Sequence, residues 1–488
     1  MLKAAGGNLP KNVTMTMSMR SLSMSSPTLY AKPVGTPGGK KKMLFNPKTM
    51  KNALPGQSET KVKKAGMTHL DFDDAIRSMK FYKNGTDLKP LGLSTLNPNN
   101  LSESKSTVVK YTSKCQRTLG YLGGIKKFQN NELYRHPVTL VTENTTRINE
   151  EFISKLDNSS SKENRLALIG SRGVGKSTVL AQAHALALEK FEKDVIILHI
   201  NLGEQIVNGT NDYVFNPKLN KYHQPMFTKR LIHKLRLSNE EIFRKLKLSK
   251  DYTFSNRRQE FNLKKGENTL YDFLKNNKDF GKFGPNDAFQ TFLEELLIQS
   301  ETVPVIFSID NVNAILDFPI TKYRKPDFSP IRIEELEIGS FILDFLSGEK
   351  SFNKGGILIA KTGIIGTAEK TLDVALGIEE NDPYAKSEIF DYDICVKLRE
   401  NGGIKPFKIE NFTKDETKQL MNFWRIIGSL PVKQFYTKEV DKTSEELSAE
   451  GGNEQFDLEI QFERMVNNNY TISSGNPHYL FKTSMLSY

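Results

Sequence analysis

Nine consecutive residues, Gly170-Ser171-Arg172-Gly173-Val174-Gly175-Lys176-Ser177-Thr178, limit the architectures open to this chain more than anything else in it. They form a complete G-x-x-x-x-G-K-[ST] pattern, which works only as the turn between a buried strand and the helix that follows it. Both flanks are present: Arg165-Leu-Ala-Leu-Ile169 is an apolar run of strand length, and residues 178–189 are rich in Ala and Leu. The glycines let successive N–H groups turn inward on phosphate oxygens. Lys176 is placed to reach the β and γ phosphates and the Ser177 hydroxyl to ligate Mg²⁺. These nine residues are the predicted nucleotide site, and a parallel α/β sheet is its predicted frame.

The chain downstream keeps alternating strand and helix. Residues 195–200 are an all-apolar run around His199, which reads as a core histidine, and residues 302–310 are a second such run, with Pro304 at its start where a missing N–H is tolerated. The second run ends in Asp310, where a strand-end carboxylate would complete the Mg²⁺ shell. The next residue is Asn311, and an amide cannot act as a general base, so the obvious water-activating acid is missing. Asp317, Glu334, Glu335 and Glu337 lie within reach along the chain and leave slow hydrolysis open. Residues 354–362 read as a further parallel strand ending at Thr362, the candidate sensor of a terminal phosphate, and residues 406–409 as the last strand. Thr413-Lys-Asp-Glu416 is a capping box that opens a C-terminal helical lid. Within that lid residues 437–456 read as an acidic loop, and Gly475-Asn476-Pro477 as a turn whose Asn476 and Pro477 reach the nucleotide from the far side.

Charge divides the chain. Of the net +12, most belongs to residues 1–58, which hold nine Lys or Arg and no acid; from residue 59 onward 60 basic residues face 57 acidic ones. A basic, Ser- and Met-rich start without an apolar core is the composition of a mitochondrial transit peptide, or failing that of a disordered basic tail. Residues 105–135 add seven basic side chains with Tyr111, Tyr121, Phe128 and Tyr134 between them, which suits an RNA or protein groove and equally a solvated arm. Residues 221–265 hold thirteen Lys or Arg against four acids with an apolar helical face, and are predicted to be a basic helical insertion that meets phosphate backbones or, failing that, presents a charged face to solvent. The expected division is a leader over 1–58, an extended arm over 59–135, a nucleotide-binding domain over 136–405 and a lid over 406–488. Cys115 and Cys395 stand alone without a CxxC pair, which argues against a disulfide framework or a zinc cluster. No run approaches 18 apolar residues, so no membrane-spanning helix is predicted.

The order of elements is similar to that of the additional-strand class of P-loop proteins, the relatives of AAA+ and signal-transduction (STAND) ATPases. More closely, the chain resembles the death-associated P-loop family of the mitochondrial small ribosomal subunit. The resemblance runs over about residues 135–488. It is carried by the Gly170–Thr178 loop, Leu198-His199-Ile200, Tyr222-His223-Gln224-Pro225, Ile309-Asp310-Asn311-Val312-Asn313-Ala314, Ser329-Pro330-Ile331, Glu334-Glu335-Leu336, Asn411-Phe412-Thr413 and Gly475-Asn476-Pro477. It implies a ribosomal protein of the mitochondrial matrix that touches small-subunit ribosomal RNA, neighbouring proteins and the large subunit, with GTP or GDP in its pocket. The residues themselves do not choose the base: Asn220-Lys221-Tyr222-His223 fails the Asn-Lys-x-Asp guanine code at its fourth position, and ATP stays open. With Asn311 where an acid is expected, the nucleotide reads as a structural or switch ligand. The rival expectation is an autonomous ATPase that remodels protein or nucleic acid.

Overall fold

The computed structural model describes residues 92–126, 129, 131, 134, 136–256, 259–276, 288–316, 320–362, 370–381, 384, 390–430 and 451–485. The leader over 1–58, the first part of the arm and Asp317 therefore lie outside the described residues. The described part of the arm, from residue 92, is folded onto the body. Strand β1 (Val108–Lys110) leads into helix α1 (Ser113–Leu122) and pairs antiparallel with β2 (Val138–Leu140), which precedes α2 (Glu143–Glu151). The expectation of an extended arm gives way here, because Val109, Tyr111, Leu119 and Leu122 are buried against the body.

The body follows. Strand β3 (Arg165–Ile169) feeds α3 (Lys176–Lys190), and β4 (Ile196–Ile200) comes next. A small hairpin of β5 (Val214–Asn216) and β6 (Lys221–His223) precedes α4 (Pro225–Ser238) and α5 (Glu240–Lys245). A second hairpin, β7 (Tyr252–Asn256) with β8 (Gln259–Leu263), precedes α6 (Ala288–Gln299) and β9 (Val305–Asp310). After a third hairpin, β10 (Ile320–Arg324) with β11 (Pro330–Arg332), come α7 (Glu337–Ser347), β12 (Gly355–Ala360), α8 (Tyr392–Arg399) and β13 (Lys405–Lys408). The C-terminal helices are α9 (Lys414–Ile426), α10 (Gly451–Ser473) and α11 (Pro477–Met485).

Five strands make one parallel sheet in the order β13-β3-β12-β9-β4. Strands β3, β4, β9 and β12 read as nearly continuous apolar runs because helices cover both faces, whereas the edge strand β13 buries only Phe407. Side chains alternate between two cores. Leu198, Phe307 and Ile357 face α4 and α7, whose Leu231, Phe341 and Phe345 bury against them. Ile197, Ile306 and Leu358 face α3 and α1, with Leu180, Leu186, Leu119 and Phe152. A third cluster joins Met421, Trp424, Phe462, Val466 and Leu480 of the C-terminal helices to Tyr134, whose hydroxyl accepts from Trp424 Nε1 at 2.8 Å.

Three expectations need correction. The basic insertion is not all helix: Tyr252–Asn256 and Gln259–Leu263 pair as β7 and β8, because Tyr252-Thr-Phe254 alternates polar and aromatic at period two and sets both rings against Phe273, with centroids 5.6 and 5.2 Å away. Several of its basic side chains are also engaged inside the chain, Lys234 on Asn201, Lys245 on Asp194 and Arg244 on Glu240 and over the Tyr271 ring. Of residues 437–456, expected to be an acidic loop, 437–450 lie outside the described residues and 451–456 open α10, whose Phe462, Val466, Asn469 and Ser473 are buried at helical spacing. Finally, the sheet runs into the segment assigned to the lid, since Pro406 and Phe407 pair with Ala167 and Leu168. The described residues all fall in one compact unit. Among them no helix is long and apolar enough to cross a membrane, and no group of three or more His, Cys, Asp or Glu could hold a metal ion.

Candidate nucleotide site

Gly170, Gly173 and Gly175 all take left-handed φ angles, as the glycines of a phosphate-cradling turn must. Gly175, at φ +105°, stands at the N-cap of α3, and the space a side chain would fill there is open. No side chain caps α3 and no acid lies in its first turn. The amide donors of that 15-residue helix therefore point outward with the positive end of its dipole behind them, which fits an anion. Lys176 is mostly buried and donates to the carbonyls of Gly170 and Ser171, both at 2.7 Å, holding the loop curled over its own ammonium. Ser177 and Thr178 follow in the first turn, half-buried, while Ser171 and Arg172 are exposed at the loop tip and Val174 is buried beneath it.

The far end of the chain closes on this loop. Asn476 is buried; its amide donates to Arg172 O at 3.0 Å and Ser171 Oγ at 3.3 Å, while its Oδ1 accepts from the amides of His478 and Tyr479 and so caps α11, with Pro477 next. Asn476 thus ties two helix starts together. Its position follows from Gly475, at φ +71°, which approaches Phe412 so closely that a Cβ would lie 2.2 Å from Phe412 O. Phe412 N donates to Gly475 O and Asn411 Nδ2 to Ser474 O. The predicted capping box is formed, Glu416 N donating to Thr413 Oγ1 and Thr413 N to Glu416 Oε2, and Glu416 also accepts from Glu143 N at the start of α2. His478 sits over Gly173, and burial together with Lys482 and Arg172 lowers its pKa.

Asp310 ends β9, with β12 lying between it and the loop strand β3. Thr362, just past β12, donates its amide to Asn313 Oδ1 at 2.9 Å, which fixes the segment beyond both strands. The Asn311 amide donates to Glu204 Oε1 at 2.7 Å, which holds an exposed acid from just after β4 beside Asn311. The other candidate acids are held elsewhere, Glu335 on Lys325 and Glu337 on the buried His223, with Glu334 beside Arg332. Beneath Asp310, Ser308 Oγ joins His184 Nε2 and His199 Nδ1, each at 2.9 Å. Both imidazoles are buried, and burial drives the His199 pKa down to about 3 and that of His184 in the same direction. His199 is a core histidine, as its sequence setting suggests.

Oxygen donors for Mg²⁺ were expected from Ser177 and Asp310. The Asp310 carboxylate, however, forms an ion pair with Lys126 from the segment after α1. A divalent cation at Asp310 would have to share this carboxylate with a lysine ammonium, so the donor set is a poor match for Mg²⁺.

From β2 to α11 the chain matches a known family. Residues 139–483 match the family model described as mitochondrial ribosomal death-associated protein 3. Over 325 residues the chain is 23% identical to the small ribosomal subunit protein mS29 of the fission yeast Schizosaccharomyces pombe. That alignment covers 66% of this chain and 65% of the yeast protein, just under two thirds of its length.

Proposed function

The chain belongs to the mitochondrial ribosomal death-associated protein 3 family, and from that premise we propose that it is a nucleotide-holding structural component of the small subunit of the mitochondrial ribosome. Its place is the matrix, its partners are the small-subunit ribosomal RNA, neighbouring proteins and the large subunit, and its ligand is a guanine nucleotide, GTP or GDP. The observation that carries nucleotide binding is the uncapped start of α3 behind a left-handed glycine turn, with Asn476 clamped to the loop tip. The position of β12 between the loop strand and the Asp310 strand supports the additional-strand class of P-loop folds.

Lys176, Ser177 and the first-turn amides of α3 would hold the phosphates, and Thr362 and Asn476 would flank them. The ligand acts as a brace. A nucleotide held between the loop and the α11 cap stabilises the folded chain by mass action without turnover. Asn311 supplies no base, and Glu204, which is exposed, is hydrogen-bonded to it.

Mass spectrometry of the nucleotide released from purified small-subunit particles tests this reading. Stoichiometric GTP or GDP from wild type, lost in Lys176→Ala while the protein stays on the particle, is the expected result. Absence of the protein from the particles, or bound ADP with rapid ATP turnover by the isolated chain, would overturn it and make a remodelling ATPase the better account.

A further inference from the structure

Helix α1 ends with Gly123 at φ +76°, its amide bonded to Gly120 O at 3.2 Å and that of Gly124 to Leu119 O at 2.9 Å. This left-handed cap turns the chain across α3, where Gly124 lies against Leu119 and Ala181. Two residues on, the Lys126 amide donates to Gln129 Oε1 at 2.8 Å, and the Lys126 side chain reaches the Asp310 carboxylate. The carboxylate is 9% exposed and the lysine side chain 28%. A carboxylate this far out of water needs a counter-charge, and the lysine supplies it.

Resting on the nucleotide reading above, we propose that Lys126 is the resident cation of this site: its ammonium takes the place on Asp310 that a strand-end carboxylate otherwise keeps for a divalent ion, so that nucleotide is bound without Mg²⁺. Magnesium gives up its water reluctantly and is held by one or two carboxylates together with phosphate oxygens. Here one carboxylate is already neutralised, the following residue, Asn311, brings an amide in place of a second acid, and the nearby Glu204 is exposed and accepts from that amide. A dication entering at Asp310 would displace an ammonium and then face it at close range. Polyphosphate meets a different field, with Lys126 and Lys176 both contributing positive charge and the α3 amides contributing donors.

The test is the affinity of the full chain for fluorescent mant-GDP and mant-ADP, measured in Mg²⁺ and in EDTA, for wild type, Lys126→Met, Lys126→Arg and Lys176→Ala. For wild type and Lys126→Arg the two media are expected to agree within about twofold, whereas Lys126→Met loses about tenfold in EDTA and regains it with Mg²⁺. Lys126→Arg also guards against loss of fold, because it keeps the charge. Wild-type affinity that collapses in EDTA, or an equal response to Mg²⁺ in wild type and Lys126→Met, overturns the assignment while leaving nucleotide binding intact. If wild type binds neither probe in either medium, the nucleotide reading itself falls.

Discussion

At the phosphate end of the candidate site, Gly170 to Thr178 are shaped by their own neighbours and by the helix they open, whereas at the opposite end Asp310 takes its counter-charge from Lys126, 184 residues earlier. The first arrangement is local and carried by backbone. The second exists only after α1, α3 and β9 have packed. Backbone donors at a helix start suit any phosphate, while a side-chain ion pair can decide which cation accompanies it. The Asn476 contact stands between these cases: its turn is local, yet its target lies 305 residues away from it.

Substitutions at the two ends can break or sharpen this contrast. Lys176→Ala is expected to have the largest effect, weakening nucleotide binding by about a hundredfold or more, on the order of 3 kcal/mol, as measured by titration of the full chain. A loss of less than about tenfold would mean that the amides of α3 suffice. Gly475→Ala comes next. An alanine at φ +71° pressed on Phe412 O should cost about 2 kcal/mol in denaturant unfolding and weaken nucleotide binding with it. Unchanged nucleotide affinity in that variant would show that the phosphate end is complete without its clamp.

The buried support beneath Asp310 gives a pH dependence. The folded-state pKa of His199 is near 3 against an ordinary value near 6.5, so between these values the unfolded chain binds the extra proton. The stabilisation is therefore complete above about pH 6.5 and is lost as pH falls, by about 1.4 kcal/mol per pH unit from this group, with His184 adding in the same direction. Chemical denaturation at pH 7 and pH 5 measures the slope, and a flat profile would place water or a charge partner beside these rings. Thr413→Ala is the smallest change, about 1 kcal/mol from the lost cap of α9, with nucleotide affinity unaltered in the same titration.

The parts legible in the sequence are those written in neighbouring residues. Strands β3, β4, β9 and β12 are apolar runs, the loop is a fixed spacing, and the Thr413–Glu416 cap is a four-residue pattern; each depends on local backbone geometry, and each is present. The β7–β8 hairpin is harder to read, because Arg257 and Arg258 and the basic residues around it give the segment the composition of a charged helix, while the strand signal is only the short Tyr252–Phe254 alternation. The ion pair of Lys126 with Asp310 and the hydrogen bond of Asn311 to Glu204 had no local signal at all. Lys126 stands in a basic stretch where any lysine could have been the one, and Glu204 follows β4, 107 residues before its partner. Such contacts depend on the sheet order, which sets the ends of β4, β9 and β12 side by side.

The bond from Asn476 to the loop also has a consequence in time. A chain made at about 5–20 residues per second leaves its phosphate loop without that clamp for roughly 15–60 s after Ser171 has been joined, because the 305 residues between them must be made first. Nucleotide captured by the nascent chain in that interval would rest on the loop alone. The Gly475–Asn476 turn would then close over a ligand already in place.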